Sequence, residues 1–229
     1  PCGTLFPYTT LFRSHAAWGW MALALFAHGT ICSFMINGIH EMVHGTVFRS
    51  RWLNAFFVHL FAFVGWENHR RFWASHARHH TFTLHDPHDS EEVVPIRYTL
   101  WDLLRGAVVN PLLMWHQARG QWRLATGHLD GDWNQHILGD DPERFAVFAW
   151  SRILIAGHVA IAGVALWFGW WIVPVVVSLT PMYARSLQFL LNQTQHVGLQ
   201  DHVTDFRLNC RTFTCNPLFR FLYWHMNYH

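Results

Sequence analysis

The stretch Ala17-Trp-Gly-Trp-Met-Ala-Leu-Ala-Leu-Phe-Ala-His-Gly-Thr-Ile-Cys-Ser-Phe-Met-Ile-Asn37 is apolar almost throughout, interrupted mainly by His28. Roughly twenty residues rising 1.5 Å each as a helix cover the ~30 Å hydrocarbon core of a bilayer. It therefore reads as a membrane span. The composition agrees: the 229-residue chain is 52% hydrophobic, 17% aromatic and only 13% charged, whereas soluble domains carry about 25% charged residues. Such content excludes a disordered chain, and a net charge of +2 is too weak a footprint for nucleic acid. Four cysteines make no disulfide framework, and Cys210 and Cys215 lack the second pair that a zinc site needs.

Working outward, Phe145–Leu191 is a second apolar block, long enough for two spans joined by a turn near Gly169, Trp170 and Pro174. Arg152 and Arg185 lie near its two ends, placed to snorkel to one interface. Leu53–Trp66 is too short to cross and is expected to lie in the interface or re-enter. The segment from Ile96 to Trp122 mixes apolar and charged residues, as an interfacial helix or cytoplasmic layer does. The expected fold is an all-α integral membrane protein, three spans being visible, with a histidine-rich helical cap. If the first span ends at His40, a hairpin that leaves and returns brings Gln195 and His196 back to the same face. Arg49, Arg51, Arg70, Arg71 and Arg78 crowd that face, which the positive-inside rule places in the cytoplasm, here of a bacterial inner membrane. Pro1–Ser14 lacks an initiator methionine and its stretch Leu5–Ser14 resembles a translated sequencing adapter, so Pro1–Ser14 is read as a non-native leader to a single membrane domain over 15–229.

Nineteen histidines outnumber both the 14 acidic and the 16 basic residues, and histidine is the commonest protein ligand for transition metals. They fall in groups. His40-Glu-Met-Val-His44 stacks two imidazoles on one helical face. In His76-Ala-Arg-His79-His80, the first and last share a face while His79 is turned by about one hundred degrees, so one turn can serve two adjacent ions. His196 follows the hairpin, and His225 and His229 repeat the four-residue spacing. One such pair arises easily by chance; three clusters on one face point to a polyhistidine metal site. Six ligands before residue 229 exceed the four that satisfy one zinc, so two ions fit better. The letters His40-Glu41-x-x-His44 also satisfy the zinc-protease motif, with Glu41 as base, but a second cluster has no role there.

Lesser candidates surround these groups. His85, Asp86, His88 and Asp89 read as a solvated loop rather than as partners orienting the ligands. Glu67, Asn68 and His69 precede the second cluster and stand where they could bond to it. Asn192 and Gln195 could donate to a metal-bound water or bond between helices. Trp66, Trp73 and Trp224 lie near the clusters, whereas most of the 14 tryptophans read as interfacial anchors. His28, His59 and His158 read as packing residues.

His40-Glu-Met-Val-His44-Gly-Thr46, His76-Ala-Arg-His79-His80, Thr194-Gln-His196-Val-Gly198 and Asn227-Tyr-His229 together resemble the three histidine boxes of the membrane fatty acid desaturase superfamily. The likeness runs from His15 to His229. It implies four transmembrane helices, of which the first is missing, and a third box of which only His229 is present, so the chain reads as truncated at both ends and inactive by itself. It further implies two non-haem irons with dioxygen as co-substrate. His40, His44, His76 and His80 would hold one iron, and His79, His196 and His229 the other. From the residues themselves, Asn192, Gln195, His225, Asn227, His85 and Trp73 are the weaker candidates for places beside the ligands or the substrate. The implied reaction is desaturation of a fatty acyl or lipid chain, with electrons from a ferredoxin, rubredoxin or cytochrome-type donor. A hydroxylase or carotenoid ketolase shares the same boxes. A membrane metal-binding or transport protein is the reading from another class, but it would place its ligands at mid-membrane.

Overall fold

The computed structural model describes residues 15–91 and 99–228. Among these residues the regular elements are helices. The first apolar stretch forms α1 (His15–Ser33) and α2 (Met35–Val43), one apolar rod over Trp18–Val43 broken only at Phe34. Its outer side exposes Trp20, Leu23, Phe26 and Ile31, a surface that suits lipid better than water. Next, α3 (Arg51–Val64) has 14 residues, too few to cross, in line with the sequence. It exposes Trp52, Phe56 and Leu60 along one side.

Asn68 begins α4 (His69–Phe82), its side chain accepting from Arg71 N at 3.2 Å. This cap satisfies a backbone donor that the first turn leaves open. The same side chain donates to Val147 O and Ser151 Oγ, both at 2.9 Å, which ties the start of α4 to α8 (Arg144–Trp167). Between them run α5 (Leu100–Ala107), α6 (Pro111–Ala125) and α7 (Gly131–Leu138). The first of these is closed by a Thr99/Asp102 capping box and the second opens on Asn110 with Pro111 behind it.

The expected hairpin departs from the sequence reading. Its outgoing limb, α8, is long and apolar, but the returning limb is no continuous span. It breaks into α9 (Ile172–Val177), a 3-10 turn (Thr180–Met182) and α10 (Ser186–Gln193). Two helices among the described residues, not three, are long and apolar enough to cross a bilayer. The reason lies in the backbone. Pro174 and Pro181 remove two amide donors, Ala184 takes a left-handed φ of 57°, and the freed carbonyls find partners elsewhere. Ser178 O accepts from Trp66 Nε1 at 2.8 Å, and Met182 O accepts from Asn110 N at 2.6 Å. Irregular backbone is tolerable at membrane depth when protein covers it in this way. Arg185, expected at the interface, instead faces the buried Glu67 carboxyl.

Ile39, Ala62, Trp150 and Leu154 fill the space between α2, α3 and α8. Leu124, Ile137, Leu138, Val147 and Phe148 form a second core under α6 and α7. After α10 the chain runs through α11 (Phe206–Asn209) and α12 (Pro217–Leu222), where Tyr223 and Met226 pack on Phe34. Gly38 makes this closure possible: a Cβ there would stand 2.8 Å from the Trp224 ring and 2.9 Å from Phe61. The cytoplasm-side end of α2 predicted from the sequence thereby lies against the middle of α4, and the histidines of both meet.

Candidate metal centre

Helix α2 supplies His40 and His44, and α4 supplies His76 and His80. Each pair is four residues apart, so each helix presents two rings on one face. The four offer one nitrogen apiece with all of these within 4.8 Å of one another, His40 and His76 buried, His44 and His80 at the exposed rim. The Nε2 atoms of His76 and His80 stand 2.8 Å apart, within hydrogen-bonding distance of each other. Their other nitrogens are held from behind. His76 Nδ1 donates to Glu91 Oε1 at 2.8 Å, and Glu91 Oε2 accepts from Ser75 Oγ at 2.6 Å. Ser75 Oγ in turn accepts from Trp133 Nε1 at 3.1 Å. His40 Nδ1 donates to Glu41 Oε1 at 3.0 Å, so Glu41 orients a ring and is not poised as a protease base. A carboxylate behind a ligand histidine fixes the tautomer and raises the basicity of the facing nitrogen.

His79 points to the adjacent side of α4. Its Nδ1 donates to Asp89 Oδ2 at 2.8 Å, and Asp89 also accepts from the amides of Leu84 and Glu91 at 2.8 and 2.9 Å. The His196 ring meets the His79 ring at 5.1 Å and 90°. His196 Nδ1 donates to Asn209 O at 2.8 Å. Between this pair and the first group lies a cavity of about 60 Å³ whose walls include His40, His76, His79, His196 and Glu91. His229, the third expected member, lies outside the described residues.

The sequence model of the fatty acid desaturase family matches residues 15–229, the whole of the stretch that carries these groups. The chain belongs to the fatty acid desaturase family. No curated protein and no solved structure matches it. A desaturase-family chain with this histidine cluster is a desaturase-like oxidoreductase with a candidate metal site.

The donor set fits a first-row transition-metal ion of the kind the resemblance implies. Its members are imidazoles without a thiolate, which suits iron, copper, nickel or zinc. Metal ligands must be deprotonated, and burial favours that state here. Desolvation, then the neighbouring His76, His40, His44 and His79, push His80 down to about 4. Burial likewise lowers His44, His76 and His196. Burial alone would raise Asp89 and Glu91, but the hydrogen bonds and charge of His79 and His76 hold both below the usual carboxylate range. The His76 and His79 rings are thus each backed by a carboxylate held in its anionic form.

The remaining residues singled out from this desaturase-family sequence take varied places. Asp89, read as loop, is a buried ligand partner, because the turn after α4 folds back under His79. His85 does stay apart: its Nδ1 faces Thr83 O at 3.0 Å and its ring faces His202. Trp73 sets its ring edge-on to His44 at 5.5 Å. Asn192 Oδ1 accepts from Asn37 Nδ2 at 3.0 Å, and Gln195 Nε2 donates to Met226 O at 3.2 Å; both line the cavity. Asn227 donates to Phe213 O at 2.9 Å and closes the last turn. His225 lies off the helical path and is exposed, Trp224 and His225 taking left-handed φ of 55° and 61°. Asn68 and His69 do not bond the ligand rings; Asn68 is a cap, and His69 packs on His59 and Trp150. His158 is fully used, by Ser178 Oγ at 2.8 Å and Phe63 O at 3.0 Å. The Glu91 role was missed, and only its charge in a histidine-rich neighbourhood hinted at it.

Proposed function

We propose that this chain is a membrane fatty acyl desaturase using two non-haem iron ions and dioxygen. The single observation that carries the reading is the four-histidine group, joined through α4 to the His79–His196 pair, in a chain of the desaturase family. The balanced change is a –CH2–CH2– unit, O2, two electrons and two protons giving –CH=CH– and two waters. Bound iron would supply the dioxygen-dependent removal of hydrogen from an unactivated C–H bond, and an electron carrier of ferredoxin, rubredoxin or cytochrome type would supply the electrons.

The residues do the rest. His40, His44, His76 and His80 would hold one ion, and His79 and His196 would contribute to the other. Glu41, Glu91 and Asp89 keep three of those rings oriented, and preorganised geometry of this kind costs nothing at the moment of reaction. Beside the first group runs a groove of about 840 Å³ whose lining includes Met42, Val43, Val58 and Trp73, with Arg51 and Arg70 also on its walls. That mixture suits an elongated apolar substrate with a polar head. Trp73, edge-on to His44, stands between the groove and the ligands and would position the chain. Membrane residence, with the histidines on the cytoplasmic side of a bacterial inner membrane, is supported by the apolar exposed faces of α1 and α8 and by the arginines near the clusters.

A hydroxylase or carotenoid ketolase uses the same boxes, and a metal transporter is the reading from another class. Against the transporter, His40 and His44 stand at the end of the Trp18–Val43 rod rather than at its middle. Lipid and small-molecule mass spectrometry of cells expressing the full-length protein that contains this chain tests the reading. Loss of two mass units from an acyl chain is expected, and dependence on His76 and His80 with it. A gain of one oxygen would assign hydroxylation, and no change in any lipid would overturn the proposal.

A further inference from the structure

Asn37 precedes His40 by one helical turn on α2, so the two side chains lie over the same face. It is 1% exposed. Its Nδ2 donates to Asn192 Oδ1 at 3.0 Å and lies 3.0 Å from Met226 Sδ, while its Oδ1 has no hydrogen-bond partner in the protein. Asn37 lines the cavity of about 60 Å³ that His40, His76, His79 and His196 wall. Native proteins rarely leave a buried carbonyl oxygen unmatched without a ligand or solvent that uses it. A cavity of this size admits water, which needs roughly 10–15 Å³. The two amides that the sequence brought forward are each held at one atom. Asn192 uses its oxygen on Asn37, and Gln195 uses its nitrogen on Met226 O.

We infer that Asn37 Oδ1 accepts a hydrogen bond from a water or hydroxide held at the metal centre, an inference that rests on the metal-centre reading above. Asn37 is then a positioning residue. Its acceptor favours an O–H donor in the cavity over a small anion, which brings no hydrogen to share. The Asn192 and Met226 contacts set the amide so that the oxygen, not the nitrogen, is presented.

The test uses the full chain in detergent, loaded with cobalt(II) and titrated with azide, which displaces metal-bound solvent and is followed by visible absorption. Asn37→Leu removes the acceptor at similar volume. Cobalt content should stay that of the parent, and azide should bind about tenfold more tightly, since the displaced solvent has lost a charge-assisted partner. Asn37→Asp keeps an acceptor in place and should show no tightening. If Asn37→Leu fails to fold, Asn37→Ala is read in its stead with the same expectation. Normal cobalt content with unchanged azide affinity, or equal tightening in Asn37→Asp, overturns this inference alone. A parent chain that takes up no cobalt overturns the metal-centre reading and this inference with it.

Discussion

His76 and His79 stand three residues apart on α4, yet His76 joins a four-ring group from two helices while His79 meets a ring from a distant segment, His196. The first group is built from local spacing. Two i,i+4 pairs on α2 and α4 face each other, and the carboxylates of Glu41 and Glu91 back them. The second depends on tertiary closure: His196 follows α10 and is held by the carbonyl of Asn209, Asn209 donates to Thr83 O at the end of α4 at 3.3 Å, and beyond them Tyr223 and Met226 pack on Phe34. The two groups should therefore respond to different insults.

The largest effect should come from His76→Ala or His80→Ala. Either leaves three imidazoles of four, and metal affinity of the first group should fall by more than about a hundredfold. His196→Ala should leave that group loaded. Metal titration of the purified variants checks this, and equal losses in all three would erase the distinction between the groups. Glu91→Gln and Asp89→Asn come next, each expected to weaken its own group by roughly 10–100-fold. Glu91→Gln acts through His76 and Asp89→Asn through His79. Crossed effects would show that the shared cavity, not the carboxylates, sets affinity.

Gly38→Ala probes the closure itself. The added carbon would press on Trp224 and Phe61 at 2.8 and 2.9 Å, an overpacking that costs about 1–3 kcal/mol. Thermal unfolding should show the loss, and metal titration should show the second group suffering before the first. The smallest effect, taken per pH unit, is a stability slope away from both groups. Burial, then His59 and Arg70, push His69 down to about 3. Unfolded, it would take a proton near pH 6.5. Its depressed value means that stability is complete above pH 6.5 and falls as the pH drops toward 3, by about 1.4 kcal/mol per unit at most. Unfolding midpoints of His69→Phe between pH 7.5 and 5 should lose one proton's worth of that slope, and an unchanged slope would contradict the assignment.

The pairing of His40 with His44 and of His76 with His80 was legible in the sequence because helical spacing alone fixes which rings share a face, whereas the meeting of the two pairs is the work of the tertiary fold. The His79–His196 meeting followed from the chain returning to one side, although the return is made by broken segments rather than by a straight span. That break was hidden because an apolar block shows length and hydropathy but not where its carbonyls bond. The Trp66 and Asn110 donors that capture Ser178 and Met182 lie far away in sequence. The same limit concealed Glu91, fifteen residues beyond His76, and Asn37, whose partner Asn192 lies 155 residues away. Asp89 was visible as a residue but not as a partner, since only the fold of the turn after α4 decides whether it faces water or His79.

The central claim is that imidazoles from α2 and α4 hold a metal ion for oxidative chemistry. X-ray absorption at the iron edge of the iron-loaded chain tests it most directly. An inner shell dominated by imidazole nitrogens is expected, with their number falling in His80→Ala. A shell of sulfur, a shell of carboxylate oxygens alone, or a spectrum unaltered by His80→Ala would contradict it.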